Sequence, residues 1–97
     1  MNLIFHPAAY AEMLESARHF ERKTAGLGFD LITAVEESAQ RILKFPASGP
    51  IERANIRKCL VRGFPFTILY QIHSDHIFVA AVMHQHRRPG YWKDRLR

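Results

Sequence analysis

Residues 57–92 read Arg57-Lys-Cys-Leu-Val-Arg-Gly-Phe-Pro-Phe-Thr-Ile-Leu-Tyr-Gln-Ile-His-Ser-Asp-His-Ile-Phe-Val-Ala-Ala-Val-Met-His-Gln-His-Arg-Arg-Pro-Gly-Tyr-Trp92. Apolar, β-branched and aromatic residues dominate three segments of this stretch, which predicts three consecutive strands: Lys58–Val61, Phe66–Ile72 and Ile77–Met83. The breaks between them are short, and Ser74-Asp75 suits a tight hairpin. We therefore expect an antiparallel sheet.

The alternation of side chains along these strands predicts how they are covered. In the middle strand Phe66, Ile68, Tyr70 and Ile72 point one way and form the expected core face. The intervening residues are more polar, so we expect the other face to be partly solvated. The last strand is apolar on both faces, which predicts that it is the most buried strand and the central one.

The first half of the chain predicts a strand and two helices. Asn2–His6 is a short apolar strand candidate, and apolar residues recur at helical spacing over Pro7–Lys23 and again over Phe29–Lys44. The two helices form an expected antiparallel hairpin, and Pro46–Asn55 is an expected loop. The prediction is an α+β fold of order β-α-α-β-β-β, with a helical hairpin packed on a small, twisted antiparallel sheet.

Length and charge limit the class of protein. The 97 residues predict one domain, residues 1–97, and no apolar run approaches the ~20 residues of a membrane span. The N-terminus lacks the pattern of a signal peptide, and Cys59 is the single cysteine, which fits a cytoplasmic protein.

The net charge is +5, and residues 51–97 carry nine Lys/Arg against three acids. This basic half favours an anionic partner, nucleic acid or an acidic protein.

A polar cluster follows the last strand and contains His84, His86, Arg87 and Tyr91. Imidazole, guanidinium and phenol groups can cleave RNA without a metal, by removing a 2′-hydroxyl proton, stabilising the phosphorane and protonating the leaving oxygen. The alternative is a basic strand end that docks a partner. Tyr91 and Trp92 stack on a base or, as we expect, fold back onto the core.

Further basic residues form a second candidate surface for nucleic acid or another target: Arg57, Lys58, Arg62, Arg87 and Arg88. Lys58 and Arg62 are expected to share a face with the terminal cluster and to form a positive groove. Phosphate and an acidic protein segment both remain open as ligands. The six histidines include the pairs His73/His76 and His84/His86, but ligand spacing for a metal is absent, so we expect neither a metal nor a cofactor.

Ordered motifs along the whole chain resemble the RelE/ParE superfamily of toxins, and within it the ParE-like branch. They are Phe5-His6-Pro7-Ala8-Ala9, Gly26-Leu27-Gly28, Phe45-Pro46, Gly49-Pro50, Arg62-x-Phe64-Pro65-Phe66 with Tyr70, and His84-x-x-Arg87-x-Pro89-x-Tyr91-Trp92. The resemblance implies the toxin of a type II toxin–antitoxin system, bound in a hetero-oligomer by a cognate antitoxin. It also implies antitoxin contacts at Tyr10, Leu14, Arg57 and Arg62.

Two activities occur among the proteins that the chain resembles. ParE-like members poison DNA gyrase, whereas RelE-like members cut mRNA on the ribosome. Thr67 stands where a RelE-type nuclease carries a catalytic arginine, and Leu60 stands where it carries a second lysine. These departures favour gyrase as the target. The alternatives are a ribosome-dependent mRNA endonuclease that uses His84, His86, Arg87 and Tyr91, and a non-toxic member that only binds its antitoxin.

Overall fold

The structure of the protein, a computed structural model, describes residues 1–96 as a helical hairpin packed on one face of a five-stranded sheet. The elements in chain order are β1 (Asn2–Phe5), α1 (Pro7–Lys23), α2 (Leu27–Lys44), β2 (Ile51–Arg53), β3 (Ile56–Val61), β4 (Phe66–Ile72) and β5 (His76–His84), with short 3-10 helices at Pro46–Ser48 and Lys93–Arg95. The predicted α+β class is confirmed. In residues 1–96 no helix combines the length and the apolar character that crossing a membrane requires.

The sheet has the order β1-β5-β4-β3-β2 and is mixed. Strands β3, β4 and β5 are antiparallel as predicted, but β1 runs parallel to β5, with Asn2 opposite His76 and Phe5 opposite Val79. The expectation of a purely antiparallel sheet was therefore wrong. The direction of β1 depends on where the chain re-enters the sheet after the helical hairpin, and no local residue pattern encodes that.

Two further expectations about the sheet need correction. Three residues of the predicted loop Pro46–Asn55 form β2, a strand too short and too exposed to leave a periodic signal. Strand β5 is buried from Ile77 to Val82, as predicted, but β4 and not β5 is the middle strand. Strand β4 is the middle one because two strands, β3 and β2, lie on one side of it and two, β5 and β1, on the other.

Glu21 joins the two helices. Its carboxylate accepts hydrogen bonds from the backbone N–H groups of Gly26, at 2.8 Å, and Gly28, at 2.9 Å, and so caps the N-terminus of α2 from the last turn of α1. Gly28 is needed for close approach, because a Cβ at this position would overlap the carbonyl oxygen of Ala17. Cap and contact together fix the tight reversal of the hairpin.

The two faces of the sheet are covered by different parts of the chain. The helices cover the face of Phe66, Ile68 and Tyr70, which confirms the predicted core face except at Ile72, which is exposed. The opposite face was expected to be partly solvated, and that was wrong. Trp92 is 2% exposed and packs there on Ile56, Leu69 and Ala81, and Thr67 and Gln71 are buried as well. The C-terminal segment supplies this cover, so the predicted return of Tyr91-Trp92 to the core is confirmed.

Candidate functional site

The C-terminal cluster assembles at the end of β5. The strand ends at His84, and the chain then turns so that the backbone N–H of His86 donates to His84 Nδ1 at 3.1 Å. The two imidazole rings lie 5.1 Å apart between centroids. The guanidinium carbon of Arg87 lies 4.1 Å from the centroid of the Tyr91 ring, within cation–π range. The structure thus brings together all four residues of the predicted cluster.

Sequence reasoning missed Glu12, the residue on which this region depends. The hydroxyl group of Tyr91 donates a hydrogen bond to Glu12 Oε2 at 2.7 Å, and the guanidinium group of Arg95 donates to both carboxylate oxygens at 3.0 Å. Glu12 Oε1 also accepts the backbone N–H of Val82 at 3.1 Å, and Arg95 donates to the carbonyl of Ala80 at 3.1 Å. The network joins α1, the outer edge of β5 and the C-terminal segment. No local pattern signals it, because Tyr91 is 79 residues from Glu12.

This network strengthens the preference of Tyr91 for its protonated form. Burial raises the pKa of the phenol, and the hydrogen bond to Glu12 and the negative charge of Glu12 raise it further. Tyr91 therefore stays protonated near neutral pH, with its proton directed at a carboxylate of its own chain. A general acid has to direct its proton at a leaving group, whereas this hydroxyl directs its hydrogen bond at Glu12.

The basic residues of the second candidate surface make different contacts in the structure. Arg57 donates to the carbonyl oxygens of Ala47, at 3.0 Å, and Gly49, at 2.7 Å, and so holds the loop that precedes β2. Lys58 lies 3.3 Å from the carboxylate of Glu52 in a half-exposed ion pair. Arg62 and Arg88 are exposed. The roles of these residues stay predictions.

The expected single positive groove is not formed. Lys58 and Arg62 line a cavity of about 530 Å³ between α2 and β3. Arg87 lines a different cavity, of about 260 Å³, between α1 and β5. The C-terminal segment covers the sheet between β3 and the end of β5, which separates basic residues that the strand alternation alone would place on one face.

The residues expected to contact an antitoxin on α1 lie beside an apolar groove. Tyr10 is half-exposed and meets Phe5 edge-on, with ring centroids 5.9 Å apart. Leu14 lines a groove of about 290 Å³ between α1 and α2, together with Ile32 and with Phe29, which is 73% exposed. The hairpin thus presents an apolar surface that residues 1–96 leave uncovered.

A second uncovered feature is the outer edge of β3. Strand β2 pairs with β3 only at Ile56 and Arg57, and the N–H of Lys58 donates to the carbonyl of Pro50, so the edge without a neighbouring described segment begins after Lys58. The outward carbonyl of Leu60 accepts a bond from the Arg41 guanidinium at 3.3 Å, and the Leu60 side chain is 68% exposed. An open strand edge next to an apolar side chain is a template for another strand.

The histidine pair at the β4–β5 hairpin makes a stacked contact. The rings of His73 and His76 are nearly parallel, at 4.7 Å between centroids, and His76 Nδ1 bonds the Asp75 carboxylate at 2.8 Å. Residues 1–96 contain no group of three or more His, Cys, Asp or Glu side chains placed to hold a metal ion.

A helical hairpin on one face of a β1-β5-β4-β3-β2 sheet, with a C-terminal segment closing the other face, defines an α+β fold. A solved structure described as "Chromosomal ParDE TA system from P. aeruginosa" contains a chain similar to this one, with a TM-score of 0.73 and 15% sequence identity. The similarity covers 87% of this chain and 95% of that one. No family model and no curated protein matches the chain. The likeness confirms the ParE-like fold that the motifs led us to expect.

Proposed function

We propose that this protein is the toxin of a type II toxin–antitoxin pair, of the ParE type, and that it arrests growth by binding and poisoning DNA gyrase in the cytoplasm. One observation carries the choice between gyrase and mRNA. Thr67, at the position where the resemblance places the catalytic arginine of a RelE-type nuclease, is buried here on the sheet face that Trp92 covers. An RNA strand would have to displace a packed indole to reach this face.

The state of Tyr91 supports the same choice. Its hydroxyl is hydrogen-bonded to Glu12, and its ring lies against the guanidinium groups of Arg87 and Arg95, at 4.1 and 5.0 Å. These contacts give the tyrosine a structural role. The basic terminal cluster then serves to recognise a target, with Arg87 and Arg88 as target contacts.

A cognate antitoxin would neutralise the toxin by covering the two uncovered features of the fold. An amphipathic helix fits the groove between α1 and α2 at Leu14 and Phe29, with Tyr10 at its margin. An extended acidic segment fits the edge of β3, because Arg41, Lys58 and Arg62 line the cavity beside it. Arg57 would contribute indirectly, by holding the loop at one end of this cavity.

The alternative function is a ribosome-dependent mRNA endonuclease. The observation that favours it is the assembly of His84, His86 and Arg87 at one strand end, with the two imidazole rings 5.1 Å apart. In that case His84 or His86 acts as the base and Arg87 stabilises the charged phosphorane.

Induced expression in a bacterial host distinguishes these functions. A gyrase poison arrests growth and leaves broken DNA covalently bound to protein, while the 5′ ends of cellular mRNAs stay unchanged. A nuclease arrests growth and creates new mRNA ends without DNA breaks, which would contradict the proposal. Unimpaired growth at confirmed expression of folded protein would identify a non-toxic, antitoxin-binding member and would also contradict it.

A further inference from the structure

A groove between α1 and the end of β5 extends from the terminal cluster at His84 and Arg87 to the basic end of α1 at Arg22 and Lys23. It consists of two adjoining cavities, of about 510 and 260 Å³, that share Glu15, Ser16, Phe66 and His84 as lining residues. We call it the α1–β5 groove. It differs from the apolar groove of the helical hairpin, because its lining includes many charged and polar side chains.

The charges of the α1–β5 groove are predominantly positive. Arg22 and Lys23 line the larger cavity, and Arg87 lines the smaller one. The carboxylate of Glu12 is already occupied by Arg95 and Tyr91. Glu15 is therefore the one lining carboxylate in the described residues that lacks a cationic partner. A run of cations along a groove attracts a ligand that carries several negative charges.

His84 adds a hydrogen-bond donor to this lining. Its Nδ1 atom accepts the backbone N–H of His86, so the neutral ring carries its proton on Nε2. His84 lines both cavities, and its ring meets Phe66 edge-on, with 5.3 Å between centroids. An N–H donor in a groove that is also lined by cations matches the oxygen atoms of a phosphate.

The backbone beside the groove leaves little for a peptide strand to pair with. The N–H of Val82 is bound by Glu12, the carbonyl of Ala80 by Arg95, and the carbonyl of His84 by the N–H of Arg87. Strand addition at this edge would have to break these bonds. Recognition therefore has to come from side chains, and these are suited to anionic groups.

We propose that the α1–β5 groove binds the phosphodiester backbone of a single nucleic acid strand. Arg22, Lys23 and Arg87 pair with phosphates, and His84 donates to a phosphate oxygen. Phe20, which is partly exposed, also lines the larger cavity. The inference does not depend on gyrase being the target, because it concerns a direct contact between this chain and a nucleic acid.

Fluorescence anisotropy with the purified full-length chain and a labelled single-stranded oligonucleotide of about 12 nucleotides tests the proposal. The variant Arg22→Ala/Lys23→Ala removes two exposed cations from the groove. We expect it to bind about tenfold more weakly at low salt. We also expect the slope of log affinity against log salt concentration to fall by about 1.4, since each lost phosphate contact on a single strand accounts for about 0.7.

The matched control is Arg18→Ala/Lys44→Ala, which removes the same charge from exposed positions outside the groove. It should keep affinity within about threefold of the wild type, since only the long-range field changes. Circular dichroism and urea unfolding establish that both double variants are folded. Equal losses in the two double variants, or no binding by the wild type at about 50 mM salt, would overturn the proposal. So would displacement of the oligonucleotide by poly-glutamate of equal charge as effectively as by unlabelled strand, which would indicate an acidic protein as ligand.

Discussion

Glu12 and Arg95 lie 83 residues apart and form a two-point ion pair, with Arg95 Nη1 and Nη2 each 3.0 Å from a different oxygen of the carboxylate. Both side chains are largely buried, at 18% and 16% exposure. Their pairing holds the C-terminal segment against α1 and so keeps Trp92 over the sheet. The terminal cluster thus takes its shape from a residue in the first helix.

Replacing Glu12 with Ala should lower the free energy of unfolding by about 2–4 kcal/mol, because it leaves the Arg95 guanidinium and the Val82 N–H without their partner. Urea unfolding at neutral pH measures the change. Glu15 lies one helical turn after Glu12 and is exposed. The stability of the Glu15→Ala variant should therefore stay within about 0.5 kcal/mol of the wild type. Equal stability of the two variants would show that the network contributes little.

The Tyr91→Phe variant separates a structural role of Tyr91 from a catalytic one. It removes the hydroxyl that bonds Glu12 but keeps the ring against Arg87. We expect a loss of about 1 kcal/mol of stability and full growth arrest. Viable counts after induction give the second result. Loss of arrest in a folded Tyr91→Phe protein would assign chemistry to the hydroxyl and favour the nuclease.

Replacing Gly28 with alanine should destabilise the protein, although alanine in place of glycine usually stabilises a helix. Alanine inside a helix normally stabilises by about 1 kcal/mol relative to glycine. At position 28 the new Cβ would overlap the backbone of Ala17, so we expect Gly28→Ala to destabilise by about 1–3 kcal/mol. Gln40→Ala, at an exposed position of the same helix, should be neutral or slightly stabilising in the same urea series. A stabilised Gly28→Ala protein would mean that the helices are not in this close contact.

Glu21 should make the hairpin sensitive to acid. Its backbone hydrogen bonds, first from Gly26 and then from Gly28, lower the pKa of the carboxyl below its ordinary value of 4.5. The folded state therefore binds the proton less readily than the unfolded chain. The contribution of the cap is complete above the ordinary pKa and is lost as pH falls through the lower, folded pKa.

Urea unfolding of the wild type and Glu21→Gln between about pH 6 and about pH 3 tests this. The free energy of unfolding of the wild type should exceed that of the Glu21→Gln variant near neutral pH, and this difference should shrink as the pH falls. Glu36→Gln, which removes an exposed carboxylate without a hydrogen bond in the described part of the chain, should follow the wild type. A constant difference between wild type and Glu21→Gln across this range would rule out the charged cap.

Sequence patterns predicted the elements well where the signal is local. The stripe of α1, the strand β4 and the hairpin at Ser74-Asp75 all follow from periodicity and turn residues, and the structure has them. The parallel pairing of β1 with β5 could not be predicted in this way, because it depends on a connection through two helices and three strands. The three-residue strand β2 is too short to show a period.

The candidate site was predicted in its composition but not in its environment. His84, His86, Arg87 and Tyr91 are neighbours in the sequence, so their proximity follows from the chain itself. The role of Glu12 does not, since on a helical wheel it looks like any solvated acid on the polar side of α1. The return of Tyr91-Trp92 to the core was expected from the sequence, but the packing of Trp92 on Ile56, Leu69 and Ala81 was not, because it depends on the path of the whole C-terminal segment.

The most direct test of the proposed function is a supercoiling reaction with purified DNA gyrase, relaxed plasmid and ATP, with and without the purified protein. We expect supercoiling to stop and linear plasmid, covalently attached to gyrase, to accumulate as the protein concentration rises. Full supercoiling activity and intact plasmid at a large molar excess of folded protein would contradict the proposal that this chain poisons gyrase.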